Sequence, residues 1–328
     1  MSEKINIGIA KLPYSGSRGG SETSKGPEIM EQGGLLDILE RMGCTVADSQ
    51  TTVLTAEEET HYGTRHRFGL ASKHLTDIVA DQKKRGLFPI GLLANCNGLM
   101  GMLEGLQHSG PDWKPLKVGL VWIDAHGDIN TPETSLSGML GGMPVAVSTG
   151  LCLHRLRMEC GLDPALPTKY VTMVGVRDTD PLEQEIIDRS NIEHITVDQV
   201  RRLTPAIDLE MERLAILTDL IYVHIDMDVL DPAEVPGHGL TVADGPTSIE
   251  LGNALEMMFE HPSATAFGIA SYPWSRDPDG VSLKAVYNLI EGVVRGLKNR
   301  KACPLSSFFN REDLVFGSLE LNLAKVYE

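Results

Sequence analysis

The 328-residue sequence has few of the features that mark membrane, secreted or nucleic-acid-binding proteins. No apolar run reaches the roughly 20 residues that a membrane-spanning helix requires. The five cysteines are odd in number and scattered, without the CxxC pair typical of zinc sites, which favours a reducing cytoplasm. Basic residues are in the minority, and the net charge of −16 argues against a nucleic-acid partner or an anionic membrane.

The start of the chain also lacks the long apolar segment of a secretory signal peptide, because Met1 to Lys4 leads into a short predicted strand. The composition, 42% hydrophobic and 23% charged, is that of an ordinary globular protein with one large core. We therefore expect a cytoplasmic protein whose partner is a small molecule.

Short apolar runs alternate with amphipathic stretches along the whole chain. We predict strands at Ile5–Ala10, Phe88–Ala94, Lys117–Ile123, Tyr170–Val174, Leu220–Ile225 and Ala264–Ser271. We predict helices at Ile29–Met42, Leu70–Arg85, Gly98–His108, Leu182–Ser190, Ser248–Glu260 and Ser282–Asn299. This alternation indicates an α/β fold with a mainly parallel sheet covered on both faces. No linker or repeat divides it, so residues 1–328 are predicted to form a single domain.

The third predicted strand leads directly into three side chains that can bind metal, Asp124, His126 and Asp128. Residues spaced by two in a strand point to one face, so these three can converge on one point. Asp226 and Asp228 follow another apolar run with the same spacing. Ligands in parallel sheets bind at the carboxyl ends of the strands, where both clusters fall.

Aspartate at a strand end is most often a helix cap or a turn former, and this is the alternative for each residue alone. Two patterned clusters favour a metal site, because buried carboxylates without a cation cost several kcal/mol each. Oxygen-rich ligation with some imidazole favours manganese, and a pair of ions that share carboxylates is plausible.

The two clusters resemble the metal signatures of the ureohydrolases, the family of arginases, agmatinases, guanidinobutyrases and formiminoglutamases. The matching segments are Asp124–Pro132 and Asp226–Pro232. The resemblance extends from the glycine-rich opening at Gly16–Gly26 through Val174–Asp178 and covers nearly the whole chain. It implies an arginase-like three-layer α/β/α fold, a trimeric or hexameric homo-oligomer, and a two-manganese centre that hydrolyses guanidine or related C–N bonds.

The resemblance also implies a role for each ligand. Asp124 and Asp226 would bridge two Mn²⁺ ions, His126 and Asp228 would complete one site, and Asp128 would belong to the other. Asp128 would also accept a hydrogen bond from the attacking hydroxide and orient it. Ni²⁺ and Zn²⁺ are less favoured than Mn²⁺.

The chain departs from the family at Cys96, which stands where the family has a histidine ligand. A thiolate can bind a borderline metal. The alternative is a buried, inert cysteine and a single bound ion. A few ureohydrolases with cysteine at this position act on modified arginines rather than arginine, so the resemblance makes Cys96 informative about the substrate.

Two further positions differ from the arginase pattern. Gly141 replaces a histidine that transfers protons to the leaving amine, and Ala270 replaces the glutamate that binds guanidinium. A cationic guanidinium would lose its main charge partner, so arginine is disfavoured as a substrate.

The end of the site that binds an amino-acid head group is better retained. Asn130, Ser135, Ser137 and Asp180 stand where arginases bind the carboxylate and the ammonium of their substrate. The alternative is that Asn130 and the serines stabilise a loop, and that Asp180 caps the helix that follows.

Two histidines are further catalytic candidates. His224 alternates with Asp226 and Asp228 and would act as a proton shuttle or as an outer partner of a ligand, although buried histidines are often ordinary core residues. His238, in a loop near the site, would replace the missing acid.

The sequence therefore predicts a metal-dependent hydrolase of a guanidino, hydroxyguanidino or formimino compound, with an amino acid as the expected substrate. The alternative is a silent ureohydrolase paralogue that serves as a structural or regulatory subunit. The five retained ligands favour the enzyme, and the changes at Gly141 and Ala270 favour the alternative.

Overall fold

The computed structural model describes residues 4–15, 24–111 and 114–300. Most of the glycine-rich opening at Gly16–Gly26 lies outside the described residues, as does Cys303.

Eight strands form one sheet in which every neighbouring pair is parallel. The strands are β1 (Asn6–Leu12), β2 (Thr45–Thr51), β3 (Phe88–Leu93), β4 (Val118–Ile123), β5 (Val171–Val174), β6 (Glu193–Ile195), β7 (Leu220–Asp226) and β8 (Ala264–Ala270). Their order across the sheet is β2-β1-β3-β8-β7-β4-β5-β6. The predicted parallel α/β sheet is confirmed.

The two edge strands, β2 and β6, were not predicted from the sequence. Most of their side chains are exposed or half-buried, whereas every residue of β3, β4 and β7 is buried. A strand appears in the sequence as a continuous apolar run only when both of its faces are covered. The sequences of the edge strands therefore show no such run.

Helices cover both faces of the sheet and make the three layers. They are α1 (Gly26–Met30), α2 (Leu36–Arg41), α3 (Thr64–Lys84), α4 (Leu99–Gln107), α5 (Pro144–Ser148), α6 (His154–Cys160), α7 (Pro181–Arg189), α8 (Val197–Arg201), α9 (Ala206–Leu217), α10 (Ser248–Glu260) and α11 (Val281–Lys298). One core packs α2, α9, α10 and α11 against the sheet, and the other core packs α3 to α6 against the opposite face. None of the described helices is both long enough and apolar enough to cross a membrane.

Helices α10 and α11 approach so closely that glycine is required between them. A Cβ atom on Gly292 would lie 2.1 Å from the carbonyl oxygen of Gly252. The predicted helix at Ile29–Met42 is interrupted, because a π-helical turn at Glu31–Leu35 separates α1 from α2 and Gly34 adopts a φ of 127°. The spacing of apolar residues in the sequence does not reveal such a local interruption of a helix.

The middle of the sheet places four strands side by side in the order β3, β8, β7 and β4. Because all four are parallel, the turns that leave their carboxyl ends meet at one edge of the sheet. The predicted metal ligands lie in these turns, except for Asp226, which is the last residue of β7.

Candidate metal centre

Three strands supply the predicted metal ligands. Cys96 lies in the short turn after β3, and Asp226 is the last residue of β7, with Asp228 in the turn that follows. The remaining ligands, Asp124, His126 and Asp128, lie in the loop after β4. The fold therefore brings together side chains that are separated by up to 132 positions in the sequence.

The loop after β4, rather than strand alternation, makes its three ligands converge. Strand β4 ends at Ile123, before the first ligand. The amide of His126 donates to Oδ1 of Asp124 over 2.7 Å, and Asp128 adopts a left-handed φ of 47°. The three side chains converge as predicted but for a different reason, because the backbone turns where an extended strand was expected.

The ligand atoms form groups that share carboxylates. Cys96, Asp124 and Asp128 make one group, and Asp124, His126 and Asp228 make a second, with the ligand atoms of each group within 4.8 Å of one another. A third group combines Asp226 and Asp228 with His238.

Negative charge is crowded in this buried space. Burial raises the pKa values of Asp124, Asp128 and Asp226, and repulsion among the carboxylates raises them further. Burial lowers the pKa of His126, but hydrogen bonds to Asp124 and Asp228 outweigh this effect and raise it to about 11. Burial alone would raise the pKa of Asp228, but the hydrogen bond to His126 outweighs burial, and the pKa is lowered. A divalent cation would relieve this repulsion, and the donor set of carboxylates, imidazole and thiol fits a borderline metal.

The orientation of His126 fits a metal ligand. Its Nδ1 atom lies 3.3 Å from Oδ1 of Asp124 and 3.2 Å from Oδ2 of Asp228, while Nε2 faces Oδ2 of Asp178 at 3.9 Å. A ligating histidine commonly presents its second ring nitrogen to a carboxylate, which fixes the ring orientation.

Cys96 belongs to the same cluster. Its Sγ atom contacts Oδ2 of Asp226, and the residue is 8% exposed. Burial and the charges of Asp226, Asp128 and Asp124 raise the pKa of its thiol well above the usual value. The thiol is therefore protonated unless a cation replaces the proton.

A cavity of about 580 Å³ opens above the cluster and is lined by all six predicted metal ligands. Asn130, Ser137, Asp180 and His238 also line it, whereas Ser135 does not. Ser135 instead accepts a hydrogen bond from the amide of Gly138 and stabilises the loop.

Asp180 has two structural contacts in addition to its place at the cavity. It is the N-cap of α7 in a capping box with Glu183, and its Oδ2 accepts from Nδ2 of Asn130 over 3.1 Å. The hydroxyl of Thr134 donates to Oδ1 of Asn130 over 2.8 Å. The helix cap that the sequence offered as the alternative for Asp180 is present, and Asp180 also lies at the cavity wall.

His224 lies beneath the cavity and does not line it. Its ring stacks on that of Trp122 with centroids 4.7 Å apart. Its Nδ1 atom is hydrogen-bonded to the hydroxyl of Tyr222 over 2.9 Å. Burial lowers the pKa of His224 to about 3, so the ring is neutral. His238 does reach the cluster, with Nε2 at 3.8 Å from Oδ1 of Asp226.

Gly141 lines the cavity, and a Cβ atom there would meet no heavy atom within 4 Å. Ala270 is fully buried at the end of β8 and does not line the cavity. Ser271, the next residue, does line it and donates to Oδ2 of Asp226 over 2.6 Å.

Several residues that line the cavity were not predicted from the sequence, among them Glu183, Ser271, Trp274 and Arg276. A signal existed for Glu183, because Asp180-Pro181-Leu182-Glu183 is a capping-box pattern that places it one turn after Asp180. Ser271 is the last residue of a predicted strand, where side chains reach the site. No local pattern identifies Trp274 or Arg276.

Comparison with known proteins relates the chain to one family. The model of the Arginase family matches residues 6–293. The arginase of Bacillus caldovelox is 30% identical over 262 residues, which cover 77% of this chain and 86% of that protein. The crystal structure of arginase from Bacillus subtilis superposes with a TM-score of 0.76 at 26% identity, covering 89% of this chain and 98% of that one. The formimidoylglutamase from Bacillus subtilis subsp. subtilis str. 168 shares the fold, with a TM-score of 0.69 at 17% identity over 91% of this chain and 88% of that one.

Proposed function

The chain belongs to the arginase family and is a metal-dependent amidinohydrolase of linear C–N bonds, and we propose that its substrate is an amino acid with a guanidino, hydroxyguanidino or formimino group. One observation carries the proposal. A single cavity joins the six proposed metal ligands to the hydrogen-bonded pair of Asn130 and Asp180.

We propose that the protein holds two Mn²⁺ ions, with Asp124 and Asp226 shared between them. Cys96 and Asp128 would complete one site, and His126 and Asp228 the other. When bound, the ions would lower the pKa of a coordinated water, so that hydroxide is available near neutral pH. Ni²⁺ and Zn²⁺ are less favoured because carboxylates outnumber the softer ligands, and a single ion is expected if Cys96 is not a ligand.

The residues of the chain position the reactants. Asp128, in its left-handed backbone conformation, presents a buried carboxylate to the cavity and accepts a hydrogen bond from the nucleophile. Asp180 binds the substrate ammonium, and Asn130 and Ser137 bind its carboxylate. Ser135 supports this loop from outside the cavity.

The reacting group is proposed to be less basic than an ordinary guanidinium. The end of β8 presents the neutral Ser271 to the cavity, and Ala270 supplies no carboxylate. A buried cation without a charge partner is costly, so a neutral or weakly basic amidine binds better. The proton for the leaving amine is proposed to come from His238, since Gly141 has no side chain.

We further propose that the protein works in the cytoplasm as a trimeric or hexameric homo-oligomer. The described cysteines Cys44, Cys96, Cys152 and Cys160 form no disulfide, which supports a reducing compartment. The oligomeric state rests on the family resemblance, and light scattering of the purified protein tests it.

A substrate panel combined with elemental analysis tests the proposed function. The protein is purified without chelators, loaded with Mn²⁺ and assayed for release of urea, hydroxyurea, formamide and ammonia. We expect about two ions per chain and one dominant product from an amino-acid substrate. Metal content near zero together with no product from any compound would contradict the enzyme and favour the silent subunit.

A further inference from the structure

The two sides of the cavity carry opposite charge. Asp178, Asp180 and Glu183, which follow β5, line one side. Trp274 and Arg276, which follow β8, line the other side. Within the described residues, Arg276 is the only lysine or arginine that lines the cavity.

The guanidinium of Arg276 has no protein partner among the described residues, although the backbone of this residue is fixed. Its amide donates to the carbonyl of Pro273 over 3.0 Å, and a Cβ atom on Gly237 would lie 2.4 Å from its carbonyl oxygen. Many other described arginines are paired; Arg177, for example, donates to the carbonyls of Val229 and Val242. The backbone of Arg276 is therefore fixed beside the cavity, and its exposed guanidinium presents N–H donors that no described residue accepts.

A second cation reinforces the charge on this side. The Nζ atom of Lys25 lies 5.4 Å from the ring centroid of Trp274, two residues before Arg276. Guanidinium binds planar anions in a bidentate manner, and a carboxylate is the common partner. The two cations on this side of the cavity therefore attract an anion.

The spacing of the strands argues against one assignment for that anion. Strands β8 and β5 are separated by β7 and β4, so their carboxyl ends lie about 14 Å apart at the usual strand spacing. The ammonium and the carboxylate of an amino-acid head group share one carbon atom. If Asp180 binds the ammonium, then Arg276 faces a different anionic group, on the far side of the metal ligands.

We propose that Arg276 binds a carboxylate on the amidine half of the substrate, so that the substrate is a guanidino compound substituted at both ends, whose own carboxylate offsets the charge of its guanidinium. This inference rests on the proposed function. In the reaction, one water is consumed and the C–N bond to the amino-acid half breaks. The nitrogen of that half takes a proton, and the remaining carbon becomes the carbonyl of a urea that carries the carboxylate.

A pair of probes that differ only in charge tests the inference. One probe is arginine with a carboxymethyl group on the terminal guanidino nitrogen, and the other is its neutral carbamoylmethyl analogue. Binding to the Mn²⁺-loaded protein is measured by calorimetry, and hydrolysis is measured by release of the substituted urea. Arg276→Ala, Arg276→Lys and the wild type are compared with Arg202→Ala, which removes an exposed arginine paired with Asp198.

We expect the wild type and Arg202→Ala to bind the carboxylate probe about 10- to 100-fold more tightly than the neutral probe. Arg276→Ala should abolish this preference, and Arg276→Lys should retain part of it, because lysine keeps the charge but not the bidentate geometry. Preference for the carboxylate without any hydrolysis would support the subsite and contradict the proposed function. Hydrolysis with equal binding of the two probes, or a preference unchanged in Arg276→Ala, would overturn the subsite and leave the proposed function standing.

Discussion

The Sγ atom of Cys96 and the Oγ atom of Ser271 lie 3.8 Å apart, and both side chains contact Oδ2 of Asp226. Ser271 reaches this position from a left-handed φ of 66° at the end of β8. Such a backbone conformation is uncommon for serine and is kept where surrounding structure holds it. Cys96 is thus inside the carboxylate cluster rather than in a separate part of the core.

Substitution of Cys96 is expected to change metal binding and substrate choice together. Thiolate donates more charge than imidazole and prefers softer metals, so Cys96→His should tighten Mn²⁺ binding and shift activity toward arginine. The gain will be small, because Ala270 still supplies no carboxylate. Calorimetric Mn²⁺ titration and the substrate panel measure both effects. If Cys96→Ala and Cys96→His both leave them unchanged, Cys96 is only a packed core residue.

Loss of Asp226 is expected to remove both metal and activity, since this carboxylate is proposed to be shared by two ions. Asp226→Ala should lower the Mn²⁺ content to near zero and eliminate the rise in melting temperature that Mn²⁺ gives the wild type. Asp198→Ala, at an exposed ion pair with Arg202, is the control and should retain both. Wild-type metal content in Asp226→Ala would show that the ligand assignment is wrong.

The two contacts of Asp180 can be separated by choice of substitution. Asp180→Asn keeps an N-cap acceptor for α7 but removes the charge, whereas Asp180→Ala removes both. We expect both variants to raise KM for amino-acid substrates far more than for their decarboxylated analogues. Only Asp180→Ala should also lower the free energy of unfolding, by about 1 kcal/mol. Equal changes in KM for both substrate types would leave Asp180 as a helix cap alone.

Substitution of His224 is expected to affect folding rather than the pH dependence of catalysis. His224→Phe keeps a ring against Trp122 but removes the partner of the Tyr222 hydroxyl, which should cost about 1–3 kcal/mol of unfolding free energy. Adding Tyr222→Phe should restore part of this loss. Urea denaturation and the pH profile of kcat are the measurements. A variant with wild-type stability but an altered pH profile would instead support the proton-shuttle role.

A buried glutamate away from the cavity is expected to make stability depend on pH. Burial raises the pKa of Glu104 from 4.5 to about 7, against the opposing influence of His108 and Lys73. The folded state therefore favours the protonated form, so this stabilisation is present below pH 4.5 and is lost as the pH rises toward 7. The loss amounts to at most about 3 kcal/mol.

Glu104→Gln should remove this dependence. We expect urea denaturation between pH 5 and pH 8 to show a fall in the unfolding free energy of the wild type that is largely absent in the variant. Glu185→Gln, at an exposed ion pair with Arg189, should behave like the wild type. Parallel curves for wild type and Glu104→Gln would contradict the assignment to Glu104.

The sequence by itself was sufficient to predict the strands that are buried on both faces and the candidate ligands that follow them. Strands β3, β4 and β7 are continuous apolar runs because helices cover both of their faces, and they were predicted within two residues of their observed ends. The aspartates after β4 and β7 were identifiable because charged side chains directly after such runs require partners. The exposed edges β2 and β6 left no comparable pattern.

Only the tertiary structure decided which side chains share the cavity. The strand order of the sheet sets β8 beside β7, so that Ser271 reaches Asp226 and Arg276 faces the acidic side of the same cavity, although about 45 residues separate these positions from the second aspartate cluster. Strand alternation places His224 on the same face of β7 as Asp226. The packing nevertheless buries His224 against Trp122, and it does not line the cavity. Periodicity along the chain fixes the face on which a side chain lies, whereas its depth and its neighbours depend on contacts between strands that are distant in the sequence.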